Sequence, residues 1–294
     1  MNANIILTTP GPVENHRKRE KGLIVYPVYS RRSGGLSLGI NLFPDKKHCS
    51  FNCPYCEVFP FSNDAEFSLE QMEAELESFI RTERNVPVRD ICFSGNGEPT
   101  LSPDFPEALE LAARFRADIA QDAALVLISN GAFLLDDRLF PLLRDGVNSF
   151  GLDIWLKLDA GTPGWYEKMN RSKLPFEELT EKAKKFASLA PLTIQTMLCA
   201  IDGEGPPLQE EQSWEKLLVE LAVIARAEGG KCGGNAGVRK VQVYGKVRPA
   251  PEDPKASALP VECLEKRAGS LRSALAASYL SGLVSAVPPV EVYP

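Results

Sequence analysis

Six apolar runs recur along the chain, each ending in a polar loop and most followed by a stretch with helical spacing, and this alternation restricts the fold more than any other feature. The runs are Leu36 to Phe43, Val88 to Ser94, Ala124 to Ser129, Ser149 to Asp159, Leu192 to Cys199 and Val238 to Tyr244. Short apolar runs bounded by Gly, Asn and Asp read as strands. After the first run, Met72, Leu76, Phe79 and Ile80 lie at helical spacing behind Ser68-Leu69-Glu70-Gln71, which has the form of a capping box. Further helices are expected from about Pro103, near Asp136, around Phe176–Ser188 and around Trp214–Arg226. Alternating β/α units predict a parallel sheet, open or curved into a partial barrel. The expected class is α/β, a partial (β/α)6 TIM-like barrel with N- and C-terminal extensions.

A β/α barrel of about 250 residues absorbs nearly all of a 294-residue chain. The expected division is an N-terminal extension at 1–35, a core at 36–245 and a C-terminal extension at 246–294 that packs on the core. The first contains a strand-like run, Gly22 to Tyr29, followed by the turn composition Ser30-Arg31-Arg32-Ser33-Gly34-Gly35. The last opens with the proline-rich connector Lys246 to Pro254, followed by a helix near Val261–Leu283 and a short strand at Val290–Tyr293.

No apolar run approaches the roughly 20 residues that span a bilayer, and the first residues lack the basic start and apolar stretch of a signal peptide. A soluble, cytoplasmic protein is expected. A net charge of −6 argues against broad, nonspecific attraction to nucleic acid, which needs Lys and Arg to neutralise phosphates. The one dense basic segment, His16-Arg17-Lys18-Arg19-Glu20-Lys21, reads as solvated.

Seven cysteines at irregular spacing do not form a disulfide framework. Three are clustered directly after the first core strand, as Cys49-Ser50-Phe51-Asn52-Cys53-Pro54-Tyr55-Cys56. A structural zinc site closes four positions, and an ordinary ferredoxin loop supplies a complete thiolate set. Here the set stops at three, which points to a metal cluster with one corner open for chemistry. Incidental free thiols, or a zinc site completed by His48 or the distant Cys232, are the competing readings. Cys92, on an apolar strand, reads as a core residue, and Cys232 sits in a Gly-rich loop.

In β/α barrels the working groups lie on loops at the carboxyl ends of strands. The polar motifs fall there: the cysteine loop, Gly95-Asn96-Gly97-Glu98-Pro99-Thr100, Ser129-Asn130-Gly131, and Lys157 with Asp159. Lys157 and Asp159 are two apart and share one face of their strand. Facing inward, they are costly unless they pair or bind something polar. Asp159 equally suits a helix N-cap, and Asn170 and Arg171 suit either a substrate contact or a surface turn.

The spacing Cys49-x-x-x-Cys53-x-x-Cys56, with Tyr55 before the last cysteine and a Gly-rich, Glu-containing loop after the next strand, resembles the radical S-adenosylmethionine (SAM) superfamily. Gly34 to Asn41, Ser94 to Thr100, Leu158-Asp159-Ala160 and Met169-Asn170-Arg171 resemble a branch of iron–sulfur oxidoreductases related to wyosine-type tRNA enzymes and glycyl-radical-enzyme activases. The resemblance covers roughly Leu36 to Tyr244. It implies a [4Fe–4S] cluster on Cys49, Cys53 and Cys56 whose remaining iron is chelated by SAM, and one-electron cleavage of SAM to a 5′-deoxyadenosyl radical that abstracts hydrogen from a substrate. It also implies that Gly95, Asn96, Gly97 and Glu98 hold the SAM amino group, although Asn96 interrupts the usual pair of glycines. Lys157 is implied to meet the SAM carboxylate, Asp159 the ribose hydroxyls, Ser129 to lie nearby, and the Tyr55 backbone to face the adenine. An electron donor such as flavodoxin or ferredoxin follows by the same analogy. The substrate, whether small molecule, tRNA or partner protein, is not named by the sequence, nor is a catalytic residue. A non-catalytic iron–sulfur electron-transfer protein or a zinc-binding protein remains the alternative class.

Overall fold

The computed structural model describes residues 22–58, 60–82, 87–227, 237–248, 250, 253, 255–282 and 286–294. Cys232 and the basic segment at 16–21 lie outside the described residues. Nine strands form one sheet in the order β1-β2-β3-β4-β5-β6-β7-β9, with β8 paired to β6 off this path. Six of them are the expected parallel core: β2 (Gly35–Ile40), β3 (Val88–Phe93), β4 (Ala124–Ser129), β5 (Leu152–Lys157), β6 (Leu192–Ile201) and β7 (Val238–Gly245). The sheet curls into a half-barrel.

Both expected extensions contribute strands to the same sheet. β1 (Val25–Ser30) pairs antiparallel with β2 as a hairpin, and β9 (Val290–Tyr293) adds in parallel to β7. β8 (Ala256–Ala258) runs antiparallel to the end of β6. The hairpin turn reaches the far edge of the sheet: Arg31 donates to the Pro294 carbonyl, and the Tyr293 hydroxyl donates to the Arg32 carbonyl at 3.2 Å. The first hairpin and the last strand thus meet across the curl.

The helices are α1 (Leu69–Thr82), α2 (Phe105–Ile119), α3 (Leu139–Phe150), α4 (Pro163–Asn170), α5 (Phe176–Ala187), α6 (Leu208–Ala227) and α7 (Val261–Leu280). Only half of the expected capping box forms at α1. The Gln71 N–H donates to Ser68 Oγ at 3.2 Å, but the Gln71 side chain turns to Glu75 at 2.7 Å instead of returning to Ser68. Glu75 in turn accepts from the Ile24 and Val25 N–H groups, at 3.1 and 2.7 Å, and pins the edge strand to α1. Helix α4 was hidden in the long fourth unit. Thr162 caps it by accepting from the Trp165 N–H at 3.3 Å, and Pro163 occupies its first turn.

Strand alternation gives the sheet two unlike faces. On the helix-covered face Leu38, Ile91, Phe93, Leu125, Leu127, Ile154, Leu156, Ile194, Val241 and Val243 join one continuous buried core. The concave face carries Ser37 beside Asp90, Trp155 beside Thr193, and Lys157, Gln195 and Gln242 in one row. Its apolar content is a separate small cluster of Cys92, Val126 and Trp155 with Ile128 against it. Cys92 is therefore buried as expected, but on the inner face.

Candidate active site at the mouth of the barrel

The cysteine loop is sewn to the loop after β3. The His48 N–H donates to the Asn96 carbonyl at 3.0 Å, and the Glu98 N–H donates to the His48 carbonyl at 2.8 Å. This bridge explains the glycines. A Cβ on Gly97 would lie 1.7 Å from the His48 carbonyl oxygen, so no side chain fits there. Gly95 has φ of +124°, and a Cβ on it would meet Asn41 Oδ1 at 2.5 Å. The Asn96 N–H donates to Asn41 Oδ1 at 3.0 Å, and the Asn96 side chain donates to the Phe43 carbonyl, also at 3.0 Å. Asn96 thus braces the start of the cysteine loop with its side chain, leaving its backbone to the bridge.

All three clustered cysteines are partly buried, and the sulfurs of Cys49 and Cys53 accept from N–H donors. Cys49 Sγ accepts from the Phe51 N–H at 3.4 Å and from Asn130 Nδ2 at 3.5 Å, and Cys53 Sγ accepts from Asn170 Nδ2 at 3.6 Å. Burial pushes the Cys49 thiol up to about 12, with the charges of Glu98, Cys53 and Cys56 adding to it. Burial and Asp159 push Cys53 up to about 11. Each thiol therefore feels its neighbours, which is the arrangement that a cationic cluster relieves by replacing the protons. Among the described residues no three His, Cys, Asp or Glu side chains converge on the position of a single ion. Three soft thiols, two of them with N–H···S donors, fit a multi-iron cluster, in which each thiolate would take a different iron.

Beside Cys49 lies Glu98, only 2% exposed. Its Oε1 accepts from Thr100 Oγ1 at 2.7 Å, from the Thr100 N–H at 3.2 Å and from Ser129 Oγ at 2.8 Å. Its Oε2 accepts from the Asn130 N–H at 2.7 Å. Burial raises the Glu98 carboxyl above its ordinary range, and the donors from Asn130, Thr100 and Ser129 offset part of that rise. Among the described residues no Lys, Arg or His forms an ion pair with it.

A second group forms on the other side of the cysteine loop. Lys157 Nζ meets Asp159 Oδ1 at 3.0 Å and also donates to the Tyr244 hydroxyl. Asp159 Oδ1 accepts as well from the Met197 N–H at 2.8 Å, and its Oδ2 accepts from Asn170 Nδ2 at 2.9 Å and from the Tyr55 hydroxyl. Lys157 Nζ lies 5.0 Å from the Tyr55 ring centroid and 4.6 Å from that of Tyr244. Burial lowers the Lys157 ammonium, but Asp159 and Tyr244 outweigh it, and its net shift is upward.

The structure thus brings Cys49, Cys53, Tyr55, Gly95 to Glu98, Ser129, Lys157 and Asp159 to one mouth. Ser129 reaches it through Glu98, and Asp159 through Lys157 and Tyr55. Asn41, Asn130 and Tyr244 were missed as site residues. Asn170, equally a surface turn by sequence, is buried between Cys53 and Asp159, whereas Arg171 leaves the site and pairs with Asp253. Asn41 and Asn130 follow apolar strands and carried that weak signal; Tyr244 carried none.

Residues 46–204 match the family model of the radical SAM superfamily. The chain belongs to the radical SAM superfamily. A UPF0026 protein of Helicobacter pylori strain J99 is 32% identical over 145 residues, covering 46% of this chain and 44% of that protein. The chain therefore spans less than half the length of this relative. A radical SAM methyltransferase from Sphaerobacter thermophilus superposes with a TM-score of 0.59 at 14% identity, covering 92% of this chain and 77% of that one. SuiB of Streptococcus suis, solved bound to S-adenosylmethionine, superposes with a TM-score of 0.53 at 12% identity, covering 84% and 45%. At these identities the two structures share the partial-barrel fold. No described helix is long and apolar enough to cross a membrane.

Proposed function

We propose that Cys49, Cys53 and Cys56 hold a [4Fe–4S] cluster and that the adjoining Gly95–Glu98 loop holds the amino group of SAM. The observation that carries this reading is the backbone bridge from His48 to Asn96 and Glu98, which fixes the thiol loop against a buried carboxylate held, among the described residues, by hydroxyl and N–H donors without an ion pair. When bound, the reduced cluster supplies the electron that splits SAM into methionine and a 5′-deoxyadenosyl radical, which then takes a hydrogen atom from the substrate.

The chain's own residues position and shield. Glu98 Oε2 takes one hydrogen bond and keeps a second acceptor position, which suits an ammonium donor. Lys157 Nζ spends two of its three N–H groups, on Asp159 and Tyr244, and keeps one for a carboxylate. Asp159 already accepts four hydrogen bonds and works by orienting Lys157 and Tyr55. The aromatic rings of Tyr55 and Tyr244 flank Lys157 and exclude water from it. An external flavodoxin- or ferredoxin-type donor completes the electron supply. The substrate class remains open between a small molecule, a tRNA and a partner protein, and is taken up below.

The test is cluster assembly in Cys53→Ala. Two thiolates do not retain a cubane that already lacks one protein ligand, so anaerobic reconstitution of C53A is expected to lose the iron, sulfide and cluster absorbance found in wild type. Undiminished iron and sulfide in C53A would overturn the assignment.

A further inference from the structure

The concave face below the mouth contains a guanidinium that no described residue engages by hydrogen bond or ion pair. Arg32, in the β1–β2 turn, lies over two rings of the inner face, 5.7 Å from the Trp155 ring centroid and 5.1 Å from that of Tyr244. Among the described residues no hydrogen-bond acceptor or ion-pair partner engages its side chain. A guanidinium lying over aromatic rings keeps its N–H groups for an acceptor, and their fork matches the two oxygens of a carboxylate or phosphate. Tyr244 is also the residue that accepts from Lys157, so Arg32 sits one side chain away from the proposed SAM site.

The row between these rings is also unfinished. Gln195 and Gln242 are both 0% exposed and donate one hydrogen bond between them, at 2.7 Å. Gln195 Oε1 and Gln242 Nε2 are left without partners. Turning both amides over leaves one NH2 and one carbonyl unpaired just the same. Leaving such groups buried is costly unless something polar meets them. By register Gln195 lies on the strand between those that carry Trp155 and Tyr244, one row above the first and one row below the second.

We propose that Arg32 binds an oxyanion, carboxylate or phosphate, on a small-molecule substrate whose neighbouring polar groups are met by Gln195 and Gln242. This rests on the radical SAM reading, because it places the substrate on the concave face next to Lys157. The surroundings add positive potential. Arg248 and Arg32 both lie near Arg31, and burial and then these two like charges lower the Arg31 guanidinium. Arg248 is paired to Glu57 at 2.9 Å and Arg31 is tied to the Pro294 carbonyl, which leaves Arg32 as the side chain of the three with an uncommitted edge. Asp90 is the acidic group that feels Arg32 most directly, and the Ser37 hydroxyl engages one of its oxygens.

The test is calorimetric titration of the reconstituted, SAM-loaded protein with inorganic phosphate and, separately, with acetate, at ionic strength held constant with chloride. One site per chain is expected for at least one of the two, and the anion that binds more tightly tells phosphate from carboxylate. Arg32→Gln is expected to weaken that site on the order of tenfold or more, the loss of a charge-assisted pair. Arg32→Lys, which keeps the charge but not the fork, should fall between. The exposed Arg114→Gln should leave it unchanged. Absence of a saturable site in wild type, or equal affinity in R32Q, would overturn the proposal. So would a loss of stability in R32Q that D90N restores with anion binding intact, since Arg32 would then be the counter-ion of Asp90. The readout is anion binding, so its failure leaves cluster assembly and 5′-deoxyadenosine release standing.

Discussion

Glu98 and Asp159 are both buried carboxylates at the carboxyl end of the sheet, yet they are satisfied in opposite ways. Asp159 has an ion pair with Lys157 and four filled acceptor positions. Glu98 is held by hydroxyl and backbone donors from Thr100, Ser129 and Asn130, burial raises its carboxyl, and among the described residues no ion pair answers it. Desolvating a carboxylate costs free energy that only pairing or hydrogen bonds recover. With its counter-ion in place the Asp159 side is the complete one, and the Glu98 side, met among the described residues by hydrogen bonds alone, is the open one.

The largest effect is expected on the complete side. Lys157→Met would leave Asp159 buried without its cation and should cost about 3–5 kcal/mol in urea unfolding. The double substitution K157M with D159N should regain most of that. A loss below about 1 kcal/mol in K157M would mean that the Tyr55, Asn170 and Met197 donors suffice alone.

Gly97→Ala attacks the open side. A Cβ that must clear the His48 carbonyl forces the bridge apart, an overpacking cost of about 1–3 kcal/mol. Amide exchange should quicken at His48 and Glu98 and stay unchanged at Met197. Equal acceleration at Met197 would show that the two sides move as one unit.

The smallest effect concerns Asp90, a third buried carboxylate, raised by burial although the Ser37 hydroxyl donates to it. A carboxyl raised in the folded state contributes stability fully below its unfolded pKa, and that contribution is lost as pH rises through the folded value. Asp90→Asn should therefore gain on wild type as pH climbs from about 4 to neutrality. A D90N advantage that grew on acidification would contradict this sign.

The six β/α units and the three thiols were legible because each is local: an apolar run, a turn composition, a spacing. Lys157 and Asp159 were legible as a pair because two-residue spacing on a strand fixes a shared face. Their closing partners were not. Tyr244 and Tyr55 come together only through the curl of the sheet, and a tyrosine ending an apolar strand carries no mark of that. Asn170 ends α4, a helix of eight residues too short to show periodicity, although Thr162-Pro163 is a recognisable start. Asn41 braces Gly95 and Asn96 from a strand more than fifty residues earlier, |i−j| of 55 for Asn96. The closure of β1 and β9 across the half-barrel likewise depends on curvature, which no residue pattern in either strand encodes.

The most direct test of the whole account is 5′-deoxyadenosine release from anaerobically reconstituted, dithionite-reduced protein supplied with SAM, with C53A and Glu98→Gln beside wild type. Wild type should release it, C53A should not, and E98Q should keep its cluster but need on the order of tenfold more SAM, the loss of one charge-assisted hydrogen bond. Wild type with an intact cluster that releases none, or E98Q with an unchanged SAM requirement, would contradict it.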